Sequence, residues 1–257
     1  MRQWLMTLLL AQSRCAPYPA RPWIQYGDGW VFQTEIDVSA ARTIVPASFD
    51  IIETKRGSGK TNGAVYLVQY TAESTVVYSE AIFVCAEVSY KGAHTGNWVG
   101  NIWVDNEAAL QAGREVWKLQ KEMATFEWSA STAPAPASEA ATAAGEHIQR
   151  VTITTPASDV VGSFNFTRSL IPIPWQHQVV KTFSLDNATG TVLLSQTAQK
   201  YTIHMLPNVD VLIPPTSPLS SWMPMGGFKI GAKVELKGGM YNMTNPQPLT
   251  SAALKSE

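Results

Sequence analysis

Three apolar segments that follow one another in the first half of the chain constrain the fold most. They are AVYLVQYTA at 64–72, TVVYSEAIFVCAEVSY at 75–90 and NWVGNIWVD at 97–105. Their β-branched and aromatic side chains favour strands. Segments of the same character continue in the second half, as in IQRVTITT and TVLLSQTAQKYTI. The pattern predicts a mainly β (α+β) protein, a curved antiparallel sheet or closed barrel with a few short helices.

Two short helices are expected between the predicted strands. The first lies in DVSAARTIVP, where Asp37 or Ser39 is the expected cap. The second lies in NEAALQAGREVW, where Asp105 or Asn106 is the expected cap and alanines recur at helical spacing.

The remaining segments are expected to be loops within a single domain. Residues 17–29 (PYPARPWIQYGDG) are rich in turn formers and are expected to form a loop before a strand at 30–36. Residues 129–146 are rich in Ala, Pro and Ser and are expected to form a mobile surface loop. Because the strand pattern resumes unchanged after this loop, we predict one domain over 1–257.

The composition argues against several classes of protein. Only 15% of the residues are charged and the net charge is -1, whereas a nucleic-acid surface needs clustered Lys and Arg. The two cysteines, Cys15 and Cys85, and the four histidines show no metal-ligand or disulfide spacing. We therefore expect no metal site and no nucleic-acid partner, and a buried thiol at Cys85.

The N-terminal segment MRQWLMTLLLAQSRCA allows two interpretations. It is typical of an amphipathic helix that ends before Pro17, and its single Arg followed by an apolar run also resembles a short signal peptide. The run is too short to span a membrane. The first interpretation implies a cytoplasmic protein and the second a secreted one.

The turn KRGSGKTNG contains GSGKT, the end of a phosphate-binding P-loop. The complete motif requires a glycine where Thr54 stands, and it requires a helix after Thr61, where the sequence is strand-like. This segment is therefore predicted to be a hairpin tip.

Three short motifs lie between residues 78 and 123, namely Tyr78-Ser79-Glu80, Val104-Asp105-Asn106-Glu107 and Gly113-Arg114-Glu115. In order and spacing they resemble the acetoacetate decarboxylase family. That family has a Tyr-x-Glu strand, a strand that ends in Leu/Val-Asp-Asn-Glu, a Gly-Arg-Glu helix and then a Pro-Lys-Lys segment. Weaker similarity extends over nearly the whole chain. By this resemblance Lys121 is the Schiff-base lysine and Glu80 an active-site carboxylate. The resemblance also implies a homo-oligomer, a small keto substrate and no cofactor.

The sequence departs from the family pattern at four places. The Pro before the lysine is Gln120 and the second Lys is Glu122. An arginine expected early in the chain falls at Gly27-Asp28, and a second glutamate falls at Val68-Gln69. These changes argue against simple acetoacetate decarboxylation.

A lysine that attacks a carbonyl must first be neutral. The ordinary lysine pKa is about 10.4, and burial in an apolar pocket can lower a lysine pKa by about 3–5 units. Aromatic residues nearby in the sequence can make such a pocket apolar, namely Trp98, Trp103, Trp117, Phe126 and Trp128. We expect Tyr78, Trp98 and Trp103 to contact the substrate together with Gln120 and Glu122. A carboxylate at Glu122 would favour the ammonium, unless an extended backbone points it away from Lys121. Arg114 and Glu115 are expected to be structural.

Two functions follow from these residues. In the first, Lys121 forms a Schiff base with a keto acid or a larger ketone-bearing intermediate, for decarboxylation or for aldol, dehydration or cyclisation chemistry, as in natural-product biosynthesis. In the second, the same scaffold is a non-covalent cyclase, isomerase or ligand-binding protein, and Gln120 and Glu80 are polar anchors in an apolar pocket.

Overall fold

The fold is known from a computed structural model, which describes residues 17–132, 147–167, 172–206, 209–223 and 233–249. The elements, in chain order, are β1 (Trp23–Asp37), α1 (Val38–Ala41), β2 (Phe49–Ile51), β3 (Lys60–Tyr70), β4 (Ser79–Tyr90), β5 (His94–Val104), α2 (Glu107–Glu115), β6 (Lys121–Met123), β7 (Thr125–Thr132), β8 (His147–Thr154), β9 (Val160–Thr167), β10 (Pro172–Asp186), β11 (Thr191–Met205), β12 (Val209–Leu212), a 3-10 turn (Pro218–Ser221), β13 (Lys233–Met243) and β14 (Gln247–Pro248).

Seven of the strands close into a barrel. Their order around the ring is β4-β3-β1-β13-β11-β10-β5, and the pairing of β5 with β4 closes it. All of these pairs are antiparallel except β10 with β5. The short strand β6 extends the sheet by pairing in parallel with β5. The mainly β barrel expected from the sequence is thus confirmed.

A second sheet, in the order β12-β9-β8-β7, covers one side of the barrel. The main hydrophobic core lies between the two sheets, because alternate residues of the barrel strands point outward toward the second sheet. Phe32 stacks on Phe164 with ring centroids 5.9 Å apart, and Trp30 packs against Phe166 at 5.4 Å. The residues between these outward positions point into the barrel and leave its interior available for a site.

Two loop predictions are wrong in part. Residues 23–29, expected in a loop, belong to β1, which pairs with β3 on one side and β13 on the other. Gly27 permits this pairing, because a Cβ there would lie 2.1 Å from the carbonyl oxygen of Gln69. Residues 129–132, expected at the start of a mobile loop, are the end of β7, where they pair with β8. The rest of that loop, 133–146, lies outside the described residues.

The predicted turn is confirmed at GSGKT, but as a hairpin it is closed only by a single antiparallel bridge between Glu53 and Thr61, because β2 pairs with β4 and not with β3. Gly57 and Gly59 adopt positive φ angles of 77° and 65°, and their amides donate to the carboxylate of Glu53 at 2.5 and 3.0 Å. Strand β3 begins directly after the tip, at Lys60. The amides that would cradle a phosphate are therefore already bonded, and no helix starts here.

Other expectations concern cysteine, metals and membranes. Cys85 is fully buried in the core, and burial raises the pKa of its thiol to about 12. Within the described ranges, His, Cys, Asp and Glu form no group of three that could hold a metal ion. Among the helices described there, none has the length and apolarity needed to cross a membrane. The N-terminal segment 1–16 lies outside the described residues.

Replacing Gly27 with Ala should destabilise the barrel. The added methyl group would meet backbone that is fixed by pairing with β3, so the strands must move apart. Overpacking of this kind costs about 1–3 kcal/mol. Urea unfolding checks the loss, with Gln33→Ala, an exposed position on the same strand, as the control. Equal stability of the two variants would contradict the close approach.

Candidate active site

An ion pair buried inside the barrel defines the candidate site. The Nζ atom of Lys121 lies 2.5 Å from Oε1 of Glu80, and the two side chains are only 3% and 2% exposed. Lys121 opens β6, and Glu80 lies near the start of β4. A buried charge is costly unless it is paired and hydrogen-bonded, so each of these groups depends on the other.

Two tyrosines complete the surroundings of Glu80. The hydroxyls of Tyr70 and Tyr78 donate to its second oxygen, Oε2, at 3.3 and 3.4 Å. Nζ of Lys121 also lies 5.4 Å from the centroid of the Tyr78 ring. Burial raises the pKa of both phenols well above the usual value. The next largest cause is the neighbouring Tyr78 in the case of Tyr70, and the Glu80 carboxylate in the case of Tyr78. Both hydroxyls therefore remain protonated donors at neutral pH.

The Val-Asp-Asn-Glu segment fixes the strand that carries Glu80. The carboxylate of Asp105 accepts a hydrogen bond from the backbone amide of Ser79 at 2.7 Å, directly beside Glu80. Asn106 is the N-cap of α2, and its side chain accepts from the amides of Ala108 and Ala109. Of the two caps proposed for this helix, Asn106 is the one observed. The motif thus joins the start of β4 to the start of α2.

The Gly-Arg pair of α2 fixes the lysine in turn. The methylene stem of Lys121 lies against Gly113, where a Cβ would be 2.4 Å from its Cδ and 2.6 Å from its Cε. The guanidinium of Arg114 donates to the carbonyl oxygen of Lys121 at 2.8 Å. Glu115 accepts from the hydroxyl of Tyr18 instead of pairing with Arg114. Gly113 and Arg114 therefore position the lysine, one by leaving room and the other by holding its backbone.

The strand geometry separates Lys121 from its acidic neighbour. In β6 Lys121 is buried and Glu122 is exposed, because successive side chains of a strand point to opposite faces. Glu80, and not Glu122, is the carboxylate that meets the ammonium group.

The ion pair lies in the wall of a large cavity inside the barrel. Its volume is about 860 Å³ with the open mouth included, and all seven strands of the ring contribute to its lining. Most lining side chains are apolar, among them Val68, Ile82, Val99 and Leu236.

Several polar side chains of the cavity were not predicted from the sequence. They are Tyr70, Tyr241, Ser195, Thr197 and Gln199. Tyr241 packs edge-on against Tyr70 with ring centroids 5.7 Å apart, and burial raises the pKa of its phenol. A signal for the β11 residues was present in SQTAQ, where alternate residues are polar, but the direction in which they point depends on barrel closure.

The two missing family residues leave no charge behind in the cavity. Near the expected place of the arginine, Asp28 forms an exposed ion pair with Lys237. Near the expected place of the second glutamate, Val68 is an apolar lining residue. Within the described lining, Glu80 and Lys121 are the only formally charged side chains.

The five predicted substrate contacts all lie outside the cavity lining. Tyr78 still contacts the ion pair, since its hydroxyl donates to the carboxylate of Glu80. Trp103 points outward against Phe83, at 5.4 Å between ring centroids, because it alternates with the inward-facing Ile102. Trp98 packs on Phe49 in the core. Gln120 and Glu122 are exposed. Expecting Trp98 and Trp103 in the lining overlooked the outward-facing core, which buries aromatic rings equally well. Trp117, which was also expected to make the pocket apolar, does line the cavity.

Comparison with known proteins agrees with this geometry. Residues 10–164, more than half of the chain and both members of the ion pair, match the acetoacetate decarboxylase (ADC) family. The chain belongs to this family. No curated protein matches the chain at the sequence level.

Solved structures share the fold of this decarboxylase-family chain at low identity. An acetoacetate decarboxylase from Legionella pneumophila superposes with a TM-score of 0.67 and 16% identity, over 91% of this chain and 89% of that one. The enduracididine biosynthesis enzyme MppR, complexed with pyruvate, gives 0.61 and 13%, over 93% and 94%. An acetoacetate decarboxylase-like enzyme from Sphingomonas wittichii RW1 gives 0.58 and 13%, over 95% and 98%.

Removing one charge of the ion pair should destabilise this decarboxylase-family fold more than the removal of both charges would suggest. Glu80→Gln or Lys121→Met alone leaves a buried charge without its counterion, which costs about 3–5 kcal/mol. The double variant removes both charges, so its free energy of unfolding should fall by clearly less than the sum of the single losses. Urea denaturation of the four proteins checks this, and strictly additive losses would contradict the pairing.

Stability should also fall at alkaline pH. Burial raises the pKa of Tyr66, a cavity residue, to about 12, from about 10 in an unfolded chain. Its contribution is fully present below about pH 10 and is lost as the pH rises toward about 12, because the unfolded phenol ionises first. Urea midpoints at about pH 8 and about pH 11 measure the loss.

The loss should be smaller in Tyr66→Phe, which has no phenol to ionise. The matched control is Tyr26→Phe, at an exposed position, which should show the same loss as the unaltered protein. A midpoint that is independent of pH in this range would contradict the burial of Tyr66.

Proposed function

We propose that the protein is a Schiff-base enzyme in which Lys121 condenses with the carbonyl group of a ketone or keto acid. The observation that carries the proposal is the buried contact between Lys121 and Glu80 at the wall of a large apolar cavity. A lysine nucleophile needs an environment that penalises its charged form and a base that takes its proton. Glu80 is placed to take the proton, and the cavity wall around the pair is mostly apolar.

The condensation step needs a proton to move from Lys121 to Glu80 and back to the substrate oxygen. Glu80 takes a proton from the Lys121 ammonium, and the neutral amine attacks the carbonyl carbon to form a carbinolamine. Glu80 then returns the proton to the hydroxyl, which leaves as water, and a protonated imine remains. The hydrogen bonds from Tyr70 and Tyr78 hold the carboxylate in place for both transfers.

Two outcomes of the protonated imine are chemically open. A β-keto acid loses carbon dioxide, and the electrons of the broken bond form an enamine. The imine of any ketone with an α-hydrogen gives an enamine by losing that proton to the Glu80 carboxylate, and the enamine carbon can then attack a second carbonyl. The second outcome covers aldol, dehydration and cyclisation chemistry.

The lining favours the second outcome over simple acetoacetate decarboxylation. In the described part of the cavity wall, a substrate carboxylate meets no cation apart from Lys121. One structure of the similar protein MppR is complexed with the condensation product of pyruvate and imidazole 4-carboxaldehyde, so the fold accommodates condensation products. A role in natural-product biosynthesis is consistent with that likeness and with the size of the cavity.

A non-covalent cyclase, isomerase or ligand-binding protein is the second candidate. The observation that favours it is the ion pair itself, which engages the lysine nitrogen in a charge-assisted hydrogen bond when no substrate is present. Here Lys121 would only donate hydrogen bonds.

Borohydride trapping distinguishes the two candidates. The protein is incubated with a methyl ketone and sodium borohydride, and intact and peptide masses are measured. A Schiff base predicts a stable adduct on Lys121. Glu80→Gln should slow adduct formation by about 10²–10⁴-fold, the usual contribution of a positioned acid–base group.

Matched lysine variants control the trapping experiment. Lys121→Gln should give no adduct, whereas Lys118→Gln, which changes a lysine three positions earlier outside the barrel interior, should give the full adduct. Adducts that persist in Lys121→Gln, or none with any ketone tried, would contradict covalent catalysis.

A further inference from the structure

Strand β11 presents a row of uncharged polar side chains to the cavity. Ser195, Thr197 and Gln199 alternate along the strand and line the same space as Lys121. Across the sheet, Ser195 pairs with Thr182 on β10, and Thr182 pairs with Asn97 on β5. Both partners also line the cavity, so the polar row continues over three adjacent strands.

Two atoms of this row are buried without a hydrogen-bond partner in the protein. They are Oγ of Ser195 and Oε1 of Gln199. The two residues are 8% and 9% exposed, respectively. An unsatisfied buried polar group costs about 1–3 kcal/mol, and most such groups in native proteins have a partner. Both residues line the cavity, so an enclosed water molecule or a bound ligand can supply the partner once a side chain turns toward the space.

The chemistry of the row selects an uncharged group. Hydroxyl and amide side chains offer both donors and acceptors, but none supplies a positive charge. The only formal charges in the described lining are Glu80 and Lys121, which neutralise each other. A buried carboxylate or phosphate at the row would lack a counterion, whereas a hydroxyl, carbonyl or amide would find complementary partners.

We propose that Ser195 and Gln199 form a second subsite, which binds an uncharged hydrogen-bonding group at the far end of a ketone substrate. The proposal rests on the proposed function, since it takes the reacting carbonyl to lie at Lys121. Apolar side chains such as Val180 and Val84 make up much of the remaining wall, so the substrate has an apolar segment between its two polar ends. Its class is an elongated neutral ketone that ends in a hydroxyl, carbonyl or amide.

Three methyl ketones of equal length test the subsite. They end in a primary amide, a carboxylate or an isopropyl group, which have nearly the same shape. Each is titrated in the borohydride reaction, and the concentration that gives half-maximal adduct on Lys121 is measured. The amide ketone should need an about tenfold lower concentration than the other two, the effect of one or two good hydrogen bonds.

Variants on one strand supply the control. Gln199→Leu and Ser195→Ala should remove most of the preference for the amide ketone over the isopropyl ketone. A cooperative urea transition of each variant shows separately that it folds. Gln196→Leu makes the same substitution at an exposed position on β11 and should keep the full preference.

The outcomes separate this inference from the proposed function. Equal half-maximal concentrations for all three ketones would overturn the subsite and leave the Schiff base intact. If no ketone is trapped, the Schiff base fails, and the subsite is tested through the corresponding secondary alcohols, which cannot form an imine. A rise in melting temperature with the amide alcohol that disappears in Gln199→Leu would support the subsite, and no rise would overturn it.

Discussion

The buried contact between Glu80 and Lys121 is the interaction on which the site depends. Neither charge is stable alone inside an apolar barrel, so the two strands that carry them must meet at a defined distance. Strand β4 is held by its neighbours on both sides, and β6 is held by β5 and by the guanidinium of Arg114. The family motifs therefore act together: each one fixes a part of this single contact.

The cavity exists because alternate residues of the barrel strands face the second sheet and the barrel interior. Outward-facing aromatic rings pack against the second sheet and form the main core. The inward-facing residues are therefore not needed to form that core. The interior can then combine an apolar wall, one neutral ion pair and a polar row on β11 without loss of a packed core. The proposed imine chemistry at Lys121 and the proposed binding of a second group at Gln199 therefore depend on different parts of the same cavity.

The sequence could predict the local parts of this site. Lys121, Glu80 and the cap at Asn106 lie in short motifs whose order and spacing are visible without a structure. The inward direction of Gln199 was not predictable, because it depends on long-range strand register, which a single sequence does not contain. Trp98 and Trp103 were misplaced for the same reason, since alternation assigns them to a face only once the strand pairs are known.

The position of β6 at the end of the sheet order has a consequence for motion. Glu80 lies on a strand within the closed ring, so releasing it requires opening of the barrel, whereas the three residues of β6 are bonded to β5 at the margin of the sheet. Marginal segments open locally at a smaller free-energy cost than interior strands. We therefore expect the amide hydrogens around Lys121 to exchange with solvent ahead of those around Glu80, so that the lysine is the more mobile member of the ion pair.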